Sequence, residues 1–277
     1  MGNSAELLRE RRLVCSSGLK ETQKLNVSSD YIYVLRKCLS ETEAPYIAIF
    51  EDDIVFADGW LVKTLDALND AQLRASSSWL YLRLFYTETS LGWRASEDFW
   101  YGHKTLTFSL AMGGLLLLLL LGKWCVRPLD RRLGIATMIV LVFVATPAFT
   151  AMAFMAGKYN INPLKGVERM DKYGCCTQAL VFPRSQAQGL IDYLGNRGSG
   201  QTDSLIEEYA DSEGYGRYAL APQVVQHVGL ISSRNNLAIN AQSTWAFWFE
   251  TQDPLKLRAQ HDHLVSEGSW RIAGHSI

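Results

Sequence analysis

The chain has 277 residues, 48% hydrophobic and 20% charged, with a formal net charge of −1. That composition excludes a disordered or low-complexity scaffold, and the near-zero charge excludes a broad electrostatic grip on nucleic acid. A mean hydropathy near zero averages two unlike populations: residues 105–122 and 133–157 are stretches of 18 and 25 residues without a charge, and the rest is as charged as an ordinary globular domain.

Residues 5–13 read as a short charged helix. Ser28, Ser29 and Asp30 offer caps for a helix to about residue 40, with Tyr31, Leu35, Cys38 and Leu39 on one face. Residues 46–50, Tyr-Ile-Ala-Ile-Phe, are a continuous apolar run of strand length, the pattern of a buried parallel strand, and it ends in Glu51, Asp52 and Asp53. A helix over 59–75, carrying Trp60, Leu61, Leu65 and Leu68, precedes a strand over 79–86. Beyond the apolar stretches, 177–182 reads as a strand, 185–194 as a helix and 195–200 as a flexible glycine-rich connection. A helix over 204–210 and a strand over 218–228 follow. Helix–strand alternation on both sides of the apolar pair predicts one α/β domain interrupted by it, in the order 1–104, 105–157 and 158–277.

A bilayer core is crossed by ~20 apolar residues. Seven adjacent leucines, 115–121, leave no polar face to meet water, so the two stretches predict a transmembrane hairpin, in which Pro147 is tolerated. The loop 123–132 carries Lys123, Arg127, Arg131 and Arg132 against Asp130 alone. Short basic loops stay cytosolic, which sends both flanking regions to the lumenal or exterior side. The sequon Asn26-Val27-Ser28 falls in that part as an N-glycosylation candidate. Cys15, Cys38, Cys175 and Cys176 also lie there, where disulfides form. Cys125, in the basic loop, is either a palmitoylation position or an unmodified thiol.

Three carboxylates at the end of a buried strand call for a counter-charge. Ligands of open α/β sheets bind at the carboxyl ends of strands. Alternation sends Glu51 and Asp53 to one side and Asp52 to the other, and neighbouring carboxylates repel unless a cation neutralises them. Mg²⁺ or Mn²⁺ suits such ligands, with substrate phosphates completing the shell, and would clamp a pyrophosphate. The alternative is a solvated acidic turn capping the next helix.

The strand followed by Glu-Asp-Asp-Ile-Val resembles the metal-binding segment of GT-A glycosyltransferases, which use nucleotide sugars. Taken with WLYLRLFYTE at 79–88, the hairpin, CCTQALVFPR at 175–184 and PQVVQHVG at 222–229, the chain is similar to the family of post-GPI-attachment to proteins factor 4. Those are Golgi enzymes that add N-acetylgalactosamine to the GPI-anchor glycan, with a glycosyltransferase domain split by a tandem transmembrane hairpin. The resemblance spans about residues 28–250. It implies a GT-A-like (Rossmann-like) α/β domain in the Golgi membrane, catalytic parts lumenal. Mn²⁺ (or Mg²⁺) would be held by Glu51, Asp53 and a shell-completing His227, with Asp52 in the donor site. The donor would be a UDP-sugar, UDP-N-acetylgalactosamine. The acceptor would be a mannose of a GPI-anchored protein or GPI lipid, and nucleic acid has no part.

Asp203 is placed like the acidic residue by which such enzymes act on the acceptor hydroxyl, as a general base. Ser204 and Glu207 fit a capping box, so capping alone is the alternative for Asp203, and the helix dipole lowers its basicity. Glu207 and Glu208 read as capping and surface charges, His261 and His263 as surface groups. Tyr86, Glu88 and Trp245 are candidates to contact the acceptor, with core packing the alternative reading. GT-A domains place several strand–helix units before the acidic motif, whereas fifty residues precede Glu51, so the domain is expected to be N-terminally incomplete. Rival readings are a metal-dependent phosphotransferase, a transferase of another UDP-sugar, and a catalytically inactive protein of this fold acting in binding or assembly.

Overall fold

The computed structural model describes residues 27–70, 78–87, 90–94, 98–125, 133–170, 174, 176–198, 200–229 and 245–272. In chain order its main elements are α1 (Val27–Glu41), β1 (Tyr46–Phe50), β2 (Ile54–Phe56), α2 (Trp60–Leu68), β3 (Trp79–Arg83), α3 (Lys104–Cys125), α4 (Ile135–Ala156), β4 (Gly166–Arg169), β5 (Ala179–Pro183), α5 (Arg184–Arg197), α6 (Thr202–Glu213), β6 (Gly216–Ala221), β7 (Val225–His227) and α7 (Pro254–Glu267). The chain divides into two compact units, Leu91–Asn162 and the segments on either side of it. The helix expected over 5–13 lies outside the described residues.

The first unit is built on a five-stranded mixed sheet in the order β1-β5-β3-β6-β4. β5 runs antiparallel to both β1 and β3, β3 and β6 are parallel, and β4 is antiparallel to β6. The run 46–50 is therefore a buried strand but not a parallel one. Its continuous apolar pattern reports two covered faces, which is a separate property from strand direction. On one face Ile47 stands opposite Phe182, whose ring meets Tyr31 of α1 edge-on at 6.2 Å. On the other, Ala48 joins Leu65, Leu68, Leu82 and Val181 in the main apolar cluster. Tyr31, Leu35 and Cys38, at helical spacing, are the buried stripe of α1.

Several expected elements have different bounds: the helix expected over 59–75 ends at Leu68 and the strand over 79–86 at Arg83. The strand expected over 218–228 is two strands, because Pro222 has no N–H for a ladder; the chain restarts as β7, which pairs with β2 in a separate two-stranded sheet. Helix α5 continues through Gly195, Asn196 and Arg197, so the glycine-rich stretch is half helical. It stops at Gly198, whose φ of 68° is the left-handed conformation of a helix C-cap.

The second unit contains two helices of 22 residues, α3 and α4, that are long and apolar enough to cross a membrane. At a rise of 1.5 Å per residue each is about 33 Å long, against a hydrocarbon core of about 30 Å. Core helices of a soluble protein would be largely covered, but the apolar windows of these two are 0% and 6% buried. Helix α4 widens into a π turn over Leu141–Ala145, just before Pro147. Proline offers no N–H to the preceding turn, and the Leu141 carbonyl accepts both the Thr146 N–H and, at 2.8 Å, the Thr146 hydroxyl. At one end of the pair, Lys158 Nζ lies 2.5 Å from Asp98 Oδ1 and the Trp93 indole donates to the Phe154 carbonyl at 2.8 Å. Cys125 is a free, exposed thiol, whereas Cys38 and Cys176 in the first unit are disulfide-bonded.

Candidate metal centre

Strand β1 delivers the acidic triplet. The Glu51 N–H donates to the Gln178 carbonyl at 2.9 Å, extending the β1–β5 ladder by one residue. The chain then bends at Asp52 and Asp53 and re-enters a ladder as β2, with Ile54 opposite His227. The Val228 N–H closes that ladder on the Asp53 carbonyl at 2.8 Å. Two short backbone pairings thus bring Glu51, Asp53 and His227 together.

Their ligand atoms all lie within 4.8 Å of one another. His227 Nε2 is 3.0 Å from Asp53 Oδ2, and the imidazole is buried, with the Phe85 ring 6.4 Å away. The Thr177 hydroxyl donates to Glu51 Oε1 at 2.5 Å. Burial pushes the Glu51 carboxyl above its ordinary range; the Thr177 hydrogen bond opposes this, the Asp53 carboxylate adds to it, His227 opposes it and Asp203 adds to it. Asp203 is therefore within electrostatic reach of Glu51.

Whether these residues suit a divalent cation is decided by what they leave unsatisfied. Asp53 Oδ1 is buried and has no hydrogen-bond partner, although the side chain as a whole is 40% exposed. An orphaned carboxylate oxygen is costly to bury. Two hard carboxylate donors and one imidazole are the ligand types of Mn²⁺ or Mg²⁺. Gly229 completes the cradle: a Cβ there would lie 2.1 Å from Asp53 Oδ2 and 2.9 Å from His227 Nε2. The residues fit the ion.

Of the other expected residues, Asp52 is exposed and stands apart from the three-residue cluster. Asp203 sits in the first turn of α6, its carboxylate accepting the Ser204 N–H at 2.8 Å. Trp245 is 37% exposed. It is anchored by its neighbour, for the buried Gln226 side chain accepts the Ala246 N–H at 3.2 Å and donates back to the Ala246 carbonyl at 3.4 Å. Tyr86 is 8% exposed, and burial pushes its hydroxyl well above the usual range against a backbone hydrogen bond from Gln223. So enclosed a side chain presents little surface to an acceptor and packs in the core. Glu88 and Asn26 lie outside the described residues.

The capping box is also corrected. Helix α6 begins at Thr202, and its N-cap Gln201 makes no side-chain cap hydrogen bond. Glu207 is neither a cap nor a surface charge: it is buried, 3.3 Å from Arg83 Nη2, 2.8 Å from Arg217 Nε and 2.5 Å from the Tyr81 hydroxyl. Burial pushes the Tyr81 hydroxyl up to about 12. Glu208 pairs with Arg197 at the surface, as expected. His263 is exposed, whereas His261 is half-buried against Gly59. Thr177 and Gly229 escape the sequence reasoning; their signal is their position, two residues before β5 and immediately after the His227-Val228 pair.

An α/β sheet domain with a carboxylate–imidazole cluster that could hold a metal ion, interrupted in sequence by two helices long and apolar enough to cross a membrane, is the setting the structure gives. The chain matches the family model of the GPI-N-acetylgalactosamine transferase PGAP4 over residues 9–226. It belongs to that family, and so to the glycosyltransferases that act on GPI anchors. No solved structure matches the chain.

Proposed function

We propose that the protein transfers N-acetylgalactosamine from UDP-N-acetylgalactosamine to a mannose of the GPI-anchor glycan, in the Golgi lumen and with a divalent cation. The observation that carries this reading is the orphaned Asp53 Oδ1 inside a cluster of Glu51, Asp53 and His227, in a chain of this family. Those three residues would hold Mn²⁺ or Mg²⁺, which when bound supplies positive charge to the diphosphate of the donor.

The remaining chemistry belongs to the chain. Asp203, in the first turn of α6, accepts the proton of the acceptor hydroxyl as the new glycosidic bond forms and the sugar–phosphate bond breaks, with UDP as leaving group. The indole of Trp245, held by the Gln226–Ala246 clamp, stacks on a sugar face. The parts 1–104 and 158–277 face the lumen and the loop 123–132 the cytosol, in keeping with its basic charge. Because a GPI lipid is confined to the bilayer, a hairpin in the same bilayer raises its effective concentration at the site.

The test is sugar release and transfer by the purified full chain. Activity on UDP-N-acetylgalactosamine is expected with Mn²⁺ and not in chelator, and Asp53→Asn is expected to abolish it. Equal activity in chelator would overturn the metal requirement, and activity only on another UDP-sugar would overturn the donor.

A further inference from the structure

The cation cluster is braced by a charged network in the core. Arg83 closes β3 with its side chain 2% exposed. Its Nη2 donates to the Gly174 carbonyl at 3.2 Å, to Glu207 Oε1 at 3.3 Å and to the Tyr81 oxygen at 3.3 Å, and its Nη1 donates to the Cys176 carbonyl. Glu207 is held in turn by Arg217, whose Nη2 reaches Asp211 Oδ1 at 2.5 Å and the Glu207 carbonyl at 2.9 Å. A buried guanidinium spread over two backbone carbonyls and a carboxylate is a rigid fork, a task lysine does not match.

What the fork holds matters more than the fork. Cys176 has φ of 77°, a left-handed conformation rare for a residue with a side chain. The next residue, Thr177, gives its hydroxyl to Glu51 Oε1 at 2.5 Å, and Gln178 gives its carbonyl to the Glu51 N–H at 2.9 Å. Gly174 lies directly on the network, since a Cβ there would come within 2.8 Å of both Arg83 Nη2 and the Tyr81 hydroxyl.

We infer that Arg83 is a positioning residue for the cation site: it fixes the backbone at Gly174 and Cys176, and that backbone brings the Thr177 hydroxyl to the Glu51 carboxylate and orients it as a ligand. The inference rests on the metal reading of Glu51, Asp53 and His227. It assigns to a buried ion network outside the Glu51–Asp53–His227 cluster a role in metal affinity. Partners that orient metal ligands typically change affinity by about 10- to 100-fold when removed.

The experiment is direct Mn²⁺ titration of the full chain in detergent, followed by the electron paramagnetic resonance of free Mn²⁺, with melting temperature recorded in parallel. Thr177→Val is expected to weaken Mn²⁺ binding about 10-fold or more with little change in melting temperature, and Thr177→Ser to restore it. Arg83→Lys, which keeps the charge beside Glu207 and loses the fork, is expected to weaken binding to a similar degree. Gly174→Ala reaches the same segment by a different route and serves if Arg83→Lys does not fold. Wild-type Mn²⁺ affinity in a folded Thr177→Val protein, or in folded Arg83→Lys or Gly174→Ala protein, overturns the inference and leaves the metal reading standing. A wild-type chain that binds no Mn²⁺ overturns both.

Discussion

His227 Nε2 lies 3.0 Å from Asp53 Oδ2, although 174 positions separate the two residues in the chain. The contact joins the part of the domain before the hairpin to the part after it, so neither part holds the cluster alone. It depends on the three-residue ladder between β2 and β7, which sets Ile54 opposite His227.

The tightness of that contact leads to a prediction for Gly229. A methyl group there would lie 2.1 Å from Asp53 Oδ2, well inside contact distance. Gly229→Ala is expected to displace the carboxylate and lower metal-stimulated transfer by about 10-fold or more. Thermal stability should change little, because the Asp53 side chain is 40% exposed and has room to move. Activity against Mn²⁺ concentration checks this; an unchanged curve would show that the cradle does not matter.

Asp203 separates the roles of proton acceptor and ligand. If it accepts the acceptor's proton, Asp203→Asn should lower kcat for transfer by about 10²- to 10⁴-fold while Mn²⁺ affinity stays within about twofold of wild type, since Asp203 is outside the Glu51–Asp53–His227 cluster. A large loss of metal affinity with a small loss of kcat would instead make it a member of the metal shell.

The ion pair at one end of the hairpin predicts a pH dependence. Burial pushes the Asp98 carboxyl up, but hydrogen bonds from Lys158 and the Arg94 N–H outweigh this and hold it below the ordinary range. An unfolded aspartate titrates near about 3.9. The folded group titrates lower, so its stabilisation is complete above that value and is lost as pH falls through the folded pKa. Lys158 is shifted up, chiefly by its hydrogen bond to Asp98. Its contribution is complete below the unfolded lysine value of about 10.4 and is lost as pH rises through the folded pKa. The difference in melting temperature between wild type and Asp98→Asn should therefore be largest near neutrality and shrink below about pH 4 and above about pH 10.5. A difference independent of pH would exclude the ion pair as its source.

What the sequence makes legible follows from the kind of pattern each element carries. The hairpin and β1 are visible because an uninterrupted apolar run is stable only where water is kept from every side, in a bilayer or under two covered faces. β2 and β7 are not, because three residues are too few to show a period. The direction of β1 is hidden because its partner, β5, lies beyond the hairpin and pairing leaves no mark on an apolar run. Glu207 misleads for a related reason. Ser204 and Glu207 at capping-box spacing are a local signal, whereas Arg83 lies 124 positions away from Glu207 and its claim on that carboxylate is purely tertiary. The carboxylates are readable in advance because three charges follow directly on an apolar strand, although their partner His227 is brought to them only by the fold; Thr177 is not, since a hydroxyl near the start of a strand is commonplace.

The strand order has a consequence for how the protein is made. Among the described residues, β1 pairs only with β5, and β3 only with β5 and β6. Both partners are translated after α4. When the second apolar helix has just been made, β1 and β3 still lack the partners they pair with among the described residues. Bare strand edges attract other chains, and pairing across so long a sequence gap is slow. Among the described residues, the five-stranded sheet is therefore complete only once residue 221 has been made, so the two halves of the domain close on each other late.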